Sequence, residues 1–332
     1  MIWTTWRQFR TQTWVTAALL AAVAILLVIS GMHLADLYRN SGAAACRTEC
    51  GNALANFEDV AQHGFTGVLY HFIGPVMYIV PGIIGAFWGA PLVAREIENG
   101  THGLAWNQSV TRTRWLATKL AVVGAATVAT MGLLSLGVTL WTRHFQDPRL
   151  EPTYFGTRGV VPMAYGLFAF MLGVAAGILI RRTLPAMAVA AGVYLGAMLG
   201  MAFGIRQYLL PATNIVRPLD INDVSLLSMQ SGGKMTIATG DGAAGHGAWV
   251  LSNQTITPTG HPFTGPANMQ ACAGPTADGC LNWLNTLGLR SSITYQPANH
   301  FWPLQWIESG IFVALAAALA AFCFTWIRRH VS

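Results

Sequence analysis

The chain contains 332 residues, of which 53% are hydrophobic and only 10% are charged. Ordinary soluble domains carry about 25% charged residues, so this composition excludes a typical soluble enzyme. The formal net charge of +6 reflects basic loops beside apolar runs and gives no reason to infer a nucleic-acid partner.

Six apolar runs of at least 19 residues carry no Asp, Glu, Lys or Arg. A helix needs about 20 apolar residues to cross a bilayer, so these runs predict six transmembrane helices. The alternative, buried helices of a large soluble protein, is disfavoured by the number of such runs. We therefore predict an all-α polytopic protein of the cell (plasma) membrane.

The distribution of charge predicts the orientation. An even number of spans places both termini on one side of the membrane. If that side is the cytoplasm, the inner segments hold ten basic and only two acidic residues, which is the positive-inside bias. We predict cytoplasmic N and C termini and a large extracytoplasmic segment between helices 5 and 6.

The first predicted element is an interfacial helix over residues 1–13, where Trp3, Trp6 and Phe9 lie among arginines. Transmembrane helices 1–5 and their loops follow over residues 14–204. The extracytoplasmic segment covers residues 205–304. The sixth helix and a cytoplasmic tail occupy residues 305–332.

The second span contains two proline sites, at Pro75 and Pro81, each beside a glycine. Proline interrupts the hydrogen-bond ladder of a helix. Interrupted spans are tolerated where they are buried in protein or line a cavity. These prolines and the neighbouring Tyr70 and Tyr78 are therefore the candidates for a translocation path.

The loop between the second and third spans, residues 95–119, is short, polar and basic. Asn99-Gly100 is a helix stop, and Thr101 is placed to cap a short helix. Thr111 or Thr113 can cap the third span. The loop therefore predicts a helix break, a short helix along the membrane face and a new span.

This loop resembles the one between spans 2 and 3 of ABC type-2 exporter permeases. The resemblance rests on an Arg-Glu pair, an acidic residue, Gly-Thr, a Ser/Thr-Arg stretch and a Lys opening the third span: Arg95-Glu96, Glu98, Gly100-Thr101, Ser109-Val110-Thr111-Arg112 and Lys119. In that family the loop is a coupling helix that docks on a separate ATPase.

The resemblance implies a coupling helix over about residues 95–113. It also implies a set of ATPase-coupling residues: Arg95, Glu96, Glu98, Gly100, Thr101, Leu104 and Arg112. The chain would then be the permease subunit of an ATP-driven exporter, beside a second permease protomer, the same or homologous. ATP and Mg²⁺ would bind on the partner ATPase, with no cofactor in this chain.

Apolar spans favour a hydrophobic or amphipathic substrate, such as an antibiotic, drug, lipid or lipopeptide. One alternative is a non-transporting membrane sensor or assembly factor whose outer domain binds a ligand. The other is a secondary carrier, which the lack of charged residues in mid-span disfavours. The sequence carries no P-loop and no hydrolase motif, so we expect no catalytic site in this chain.

The fifth span carries four glycines at steps of four: Gly192, Gly196, Gly200 and Gly204. Such strips let helices approach closely in lipid, so we predict a packed interface with span 2, span 4 or another protomer. Within the outer segment, residues 235–239 and 248–251 predict a hairpin, and residues 280–289 an amphipathic helix.

Four of the five cysteines fall on the predicted outer side, where disulfides persist. The simplest pairing joins Cys46 to Cys50 and Cys272 to Cys280, although four cysteines allow three connectivities. Their spacing lacks the close second pair of a zinc module, so we predict no metal site.

We predict that Cys272 and Cys280 are joined, because the intervening Gly-Pro and Asp-Gly pairs favour turns that bring their Cα atoms to about 5–6 Å. Mass spectrometry of unreduced, alkylated protein should recover a peptide that links the two. Free thiols at both positions, or a link from either to Cys46 or Cys50, would contradict the pairing.

Overall fold

The helices account for most of the chain in the computed structural model. The structure describes residues 2–46, 51–98, 111–145, 149–220, 224–230, 234–240, 244–245, 247–265, 268 and 278–330. The chain divides into two compact units. The helical unit comprises Met1–Phe145, Pro152–Gly204 and Gln305–Ser332, and the mixed unit comprises Gln146–Glu151 and Ile205–Leu304.

The α-helices are numbered in chain order within the described residues. They are α1 (Ile2–Asn40), α2 (Gly51–Gln62), α3 (Gly64–Ile84), α4 (Ala90–Glu98), α5 (Arg112–Trp141), α6 (Pro152–Phe155), α7 (Val161–Ile180), α8 (Thr183–Leu199), α9 (Asp278–Thr286) and α10 (Phe301–His330). Two π-helices, Gly85–Gly89 and Gly200–Ile205, continue α3 and α8.

Six of these helical stretches are long and apolar enough to cross a membrane, which confirms the predicted number of spans. They are Thr13–Asn40, Gly64–Glu98, Arg112–Trp141, Val161–Ile180, Thr183–Tyr208 and Ala298–Arg329. The segment predicted as an interfacial helix is continuous with the first span, since α1 runs unbroken from Ile2. Its position at the membrane surface stays a prediction, as do the cytoplasmic termini.

The second span remains helical through both of its prolines. Pro75 and Pro81 lie inside α3, and the π-helix Gly85–Gly89 connects α3 to α4 without a break. Proline lacks the backbone N–H that its helix would use, and a π-helix adds one residue to the turn. The span is thus continuous but irregular over its middle third.

The helical core is organised around α7, because 72% of the residues in its most apolar stretch are buried. Four glycines let its backbone touch the second span. A Cβ added at Gly85 would lie 2.4 Å from the Ala169 carbonyl oxygen, and one at Gly173 only 2.0 Å from that of Gly85. Gly89 and Gly177 are equally confined, at 2.4 and 2.5 Å from carbonyl oxygens. No side chain fits at these crossings.

Within the described chain, the glycines of the strip predicted on the fifth span are not in close contact with another helix. A Cβ added at any of its members would meet no described atom within 4 Å: Gly192, Gly196, Gly200 and Gly204. The helix α8 instead meets α3 through Tyr194, whose ring lies 2.9 Å from a Cβ added at Gly82. Packing of the strip against another protomer stays a prediction.

The first span joins the rest of the helical unit mainly through its second half. Leu27 and Leu34 pack in a cluster with Phe57, Tyr70 and Trp141. The Trp141 indole N–H also donates a 2.9 Å hydrogen bond to the Ser30 hydroxyl.

The mixed unit contains five described strands, so the prediction of an all-α chain is wrong for residues 205–304. A three-stranded antiparallel sheet has the order β1-β5-β4, and β2 pairs with β3. The strands are β1 (Thr213–Pro218), β2 (Val224–Gln230), β3 (Lys234–Thr239), β4 (Trp249–Ile256) and β5 (Arg290–Gln296). In β5, Ser291 and Ile293 are each 1% exposed, and the residues beside them are less buried. Short stretches in which buried and less buried residues alternate favour strands over helices.

The predicted hairpin between β3 and β4 is wrong, although both strands exist. Three residues separate β2 from β3, whereas nine separate β3 from β4. Because short connections select hairpin partners, β3 pairs with β2, whereas β4 pairs with the distant β5. The predicted helix is present as α9, whose Cys280 and Leu284 pack with Met235, Ile237 and Leu289.

Of the cysteines, Cys323 in α10 is a free, buried thiol. Each predicted disulfide includes one residue outside the described chain, Cys50 or Cys272. The pairings Cys46–Cys50 and Cys272–Cys280 therefore stay predictions.

We expect Gly173→Leu to prevent stable folding of the helical unit, because any side chain there meets the second-span backbone, and overpacking of this kind costs at least about 1–3 kcal/mol. Gly196→Leu is the matched control in the neighbouring span, with open space at its Cβ. Thermal unfolding of the monomer in detergent should separate them. Equal loss of stability in both variants would contradict the assignment of the close crossing.

Candidate coupling site

The predicted coupling residues lie where the second span ends and the third begins. Arg95, Glu96 and Glu98 occupy the last turns of α4, and Arg112 is the first residue of α5. The remaining predicted residues of this set lie outside the described chain: Gly100, Thr101 and Leu104. The predicted short helix likewise falls on residues 99–110, so the described structure contains the two ends of the loop.

Glu96 forms an ion pair with Lys119 of α5. The Lys119 Nζ lies 2.5 Å from Glu96 Oε1, and the two side chains are only 5% and 16% exposed. Lys119 also donates to the Leu92 carbonyl at 3.3 Å and lies 4.5 Å from the Trp115 ring centroid. A buried pair of this kind fixes the end of α4 against the first turns of α5, because separating the charges would leave one of them buried without its partner.

Glu98 binds the beginning of α8. Its Oε2 accepts a 3.0 Å hydrogen bond from the Thr183 backbone N–H and a 2.7 Å bond from the Thr183 hydroxyl. The first N–H groups of a helix have no partner within the helix, and the N-cap residue Arg182 provides no side-chain bond. A carboxylate from the second span therefore caps the fifth. Since Glu98 is exposed, the contact serves to position α8 more than to stabilise it.

The turn between α7 and α8 is what brings Thr183 within reach of Glu98. Arg181 ends α7 with a φ of +58°, the one positive φ among the described non-glycine residues. Its N–H still bonds to the Gly177 carbonyl at 3.0 Å. A residue with a side chain rarely adopts this left-handed conformation, and here it reverses the chain within two residues.

The third span begins at one of the two predicted caps. The Thr111 hydroxyl accepts a 3.4 Å hydrogen bond from the backbone N–H of Arg114. Thr113 lies within the first turn of α5. The second, third and fifth spans thus have their ends tied together by three side chains, Glu96, Glu98 and Lys119.

The candidates for a translocation path differ in burial: Tyr70 and Pro81 are buried in the helical unit, Tyr78 is half-buried and Pro75 is exposed. Tyr70 is 4% exposed and lies 4.8 Å, centroid to centroid, from Phe145. The Tyr78 hydroxyl donates to the Pro152 carbonyl and accepts from the Gly156 N–H at 2.9 Å. These contacts hold the first two thirds of α3 in place.

An apolar cleft of about 660 Å³ lies elsewhere on the second span, between α1, α3 with its π-helix, and α5. Met77 and Trp88 line it. None of the four path candidates does: Tyr70, Tyr78, Pro75 and Pro81. The cleft follows from how α1 meets α5, which the sequence pattern does not reveal.

Sequence reasoning also missed a buried polar group on the sixth span. Gln305 is fully buried, and its Oε1 accepts 3.0 Å hydrogen bonds from the N–H groups of Val160 and Val161. Glu308, also fully buried, accepts a hydrogen bond from the Tyr165 hydroxyl. The available signal was their spacing of three residues, which places two polar side chains on one helix face.

Comparison with known proteins assigns the family. A family model described as ABC-2 membrane transporter related matches residues 17–206. The chain belongs to this family. No curated protein and no solved structure matches the chain.

The matched residues cover most of the first five spans and the loop between α4 and α5. The match confirms the resemblance drawn from the loop motif and makes the chain a membrane-embedded transporter subunit. Members of such a family associate with an ABC ATPase. The β-sheet segment and the sixth span lie beyond the matched residues.

We expect Glu96→Ala to destabilise the permease by about 3–5 kcal/mol, because the buried Lys119 charge loses its partner. The double variant Glu96→Leu, Lys119→Met should recover most of this loss, since an apolar pair replaces both charges. Thermal unfolding in detergent measures both, with the exposed Arg95→Ala as the control. A double variant less stable than Glu96→Ala would contradict the buried-pair interpretation.

Proposed function

We propose that this permease moves a hydrophobic or amphipathic molecule out of the cell, driven by ATP hydrolysis on a separate ABC ATPase that docks at the loop between α4 and α5. The observation that carries the proposal is the pair of bonds from Glu96 and Glu98 at the root of that loop. They give a docked partner a mechanical connection to three spans.

The connection works through short steps. A displacement of the loop acts first on the last turn of α4. The Glu96–Lys119 pair passes it to α5, and the Glu98–Thr183 bonds pass it to α8. The direct backbone contact between the second span and α7 carries it into the centre of the helical unit. Arg95 and Arg112, exposed or half-buried at the two ends of the loop, are available to the ATPase.

The nature of the cargo follows from the surface available to it. The lining of the apolar cleft contains no charged side chain. The charged Lys119, Arg206 and Glu308, which are buried within spans, each interact with another group of the same chain. An ion-coupled carrier needs ionisable groups along its path, so ATP-driven export of an apolar molecule is the better account.

The same proposal covers the second protomer and the outer segment. The open glycine strip on α8 has the geometry that lets two membrane helices approach closely. We place the second protomer, identical or homologous, on this face. The mixed unit, residues 205–304, would then lie outside the cell, with Cys46–Cys50 and Cys272–Cys280 as disulfides and both termini in the cytoplasm.

The test is co-expression with the ABC ATPase that purifies with the permease, followed by parallel measurements of ATP hydrolysis and export from proteoliposomes. We expect Glu98→Ala to lower export per ATP several-fold while ATPase binding is retained, because α8 loses its link to the loop. Thr183→Val should reproduce the effect, and Thr183→Ser, which keeps the hydroxyl, should not.

Two results would contradict the proposal. If no ATPase purifies with the permease, a sensor, an assembly factor or a secondary carrier becomes the better reading. If Glu98→Ala and Thr183→Val both export normally, the coupling route through α8 is wrong.

A further inference from the structure

The apolar cleft exists because the described side chains of the first span pack closely against the rest of the helical unit mainly in its second half. In that half, an added Cβ on Gly31 would lie 3.4 Å from the Trp141 ring, and one on Gly137 would lie 3.2 Å from Leu27. Toward its beginning α1 diverges, and Val15 and Leu19 are 54% and 62% exposed. The space left between α1, α3 and α5 is the cleft.

The cleft is long. Its lining on the second span extends from Leu69 to Trp88, which is about 28 Å at a helical rise of 1.5 Å per residue. The hydrocarbon core of a bilayer is about 30 Å thick. The cleft therefore runs along nearly the full depth of the membrane.

The cleft is also limited in volume. Its volume of about 660 Å³ falls within the range of small-molecule pockets, about 300–1,000 Å³. An extended hydrocarbon chain, with carbon contacts of about 4 Å on either side, is a ligand of this size.

The lining chemistry is as uniform as the shape. Of the twenty lining side chains, eighteen are apolar, and the other two are Thr16 and Thr130. No charged side chain lines the cleft. A flexible chain of methylene groups satisfies such a surface, since it needs contact area and no directed hydrogen bonds.

We propose that this cleft binds the hydrocarbon chain of the transported molecule, so that the cargo is a lipid or a lipid-tailed compound. The statement that the bound molecule is the cargo rests on the proposed export function. Occupancy of the cleft by a hydrocarbon chain does not depend on that function and is measured separately. This assignment narrows the substrate class from hydrophobic molecules in general to those with an extended alkyl chain.

Occupancy is tested with a phosphatidylcholine that carries a diazirine in one acyl chain, in proteoliposomes of the full permease. After illumination, mass spectrometry maps the adducts. We expect them to concentrate on cleft residues of α1 and α3. Filling the cleft with Val76→Trp or Val23→Trp should lower cleft adducts at least about fivefold, because overpacking excludes the chain.

Val313→Trp is the matched control, since Val313 on α10 is 45% exposed and Val76 is 49% exposed, but Val313 does not line the cleft. Adducts spread evenly over α8 and α10 would overturn the proposal, because they report bulk lipid only. So would cleft adducts that persist unchanged in both tryptophan variants. Thermal unfolding confirms that each variant folds.

The role as cargo is tested in the complex with the ATPase. ATP-driven movement of the photoactivatable lipid should fall at least about fivefold in Val23→Trp, because the chain no longer fits, and should be unchanged in Val313→Trp. Undiminished movement in both Val23→Trp and Val76→Trp overturns this inference and leaves the export function standing. Specific cleft adducts in a permease that binds no ATPase would contradict the export function and support the hydrocarbon-chain site.

Discussion

The direct contact between the backbone of the second span and that of α7 is the constraint on which the helical unit depends. In hydrocarbon, apolar side chains gain little by meeting one another, so helices associate through close packing. Gly85, Gly89, Gly173 and Gly177 remove the side chains that would keep the two backbones apart. The prolines and the π-helix of the second span lie beside this contact, where protein and not lipid surrounds the irregular backbone.

The polar contacts at the two ends of the helical unit complement this apolar centre. At one end, Glu96 and Glu98 bind α5 and α8. At the other end, the Gln305 side chain forms hydrogen bonds with backbone groups at and just before the beginning of α7. The second span is thereby restrained along its length, while α1 is restrained mainly in its second half. A force applied at the loop reaches the packed spans before it reaches α1.

The bilayer made the number of spans predictable, because each crossing requires a long uncharged run whatever its neighbours are. Helix pairing was not predictable in the same way. The pairs Gly85/Gly89 and Gly173/Gly177 and the strip from Gly192 to Gly204 share one spacing, and only tertiary structure distinguishes a buried strip from an open one. Glu96 and Lys119 are 23 residues apart, so no local rule joins them. The strands were missed as a fold class because residues 205–304 contain only short alternating runs, in a chain that is otherwise strongly helical.

The π-helix at Gly85–Gly89 has a consequence for the angular setting of everything that follows it. One extra residue in a helix rotates the subsequent side chains by about 100° relative to a regular helix, since 3.6 residues complete a turn. The faces presented by α3 and by α4 are therefore out of phase by this amount. A homologue that lacked one residue here would turn Glu96 and Glu98 away from Lys119 and Thr183, even with both acidic residues retained. The length of this stretch is thus as important for these contacts as the acidic side chains themselves.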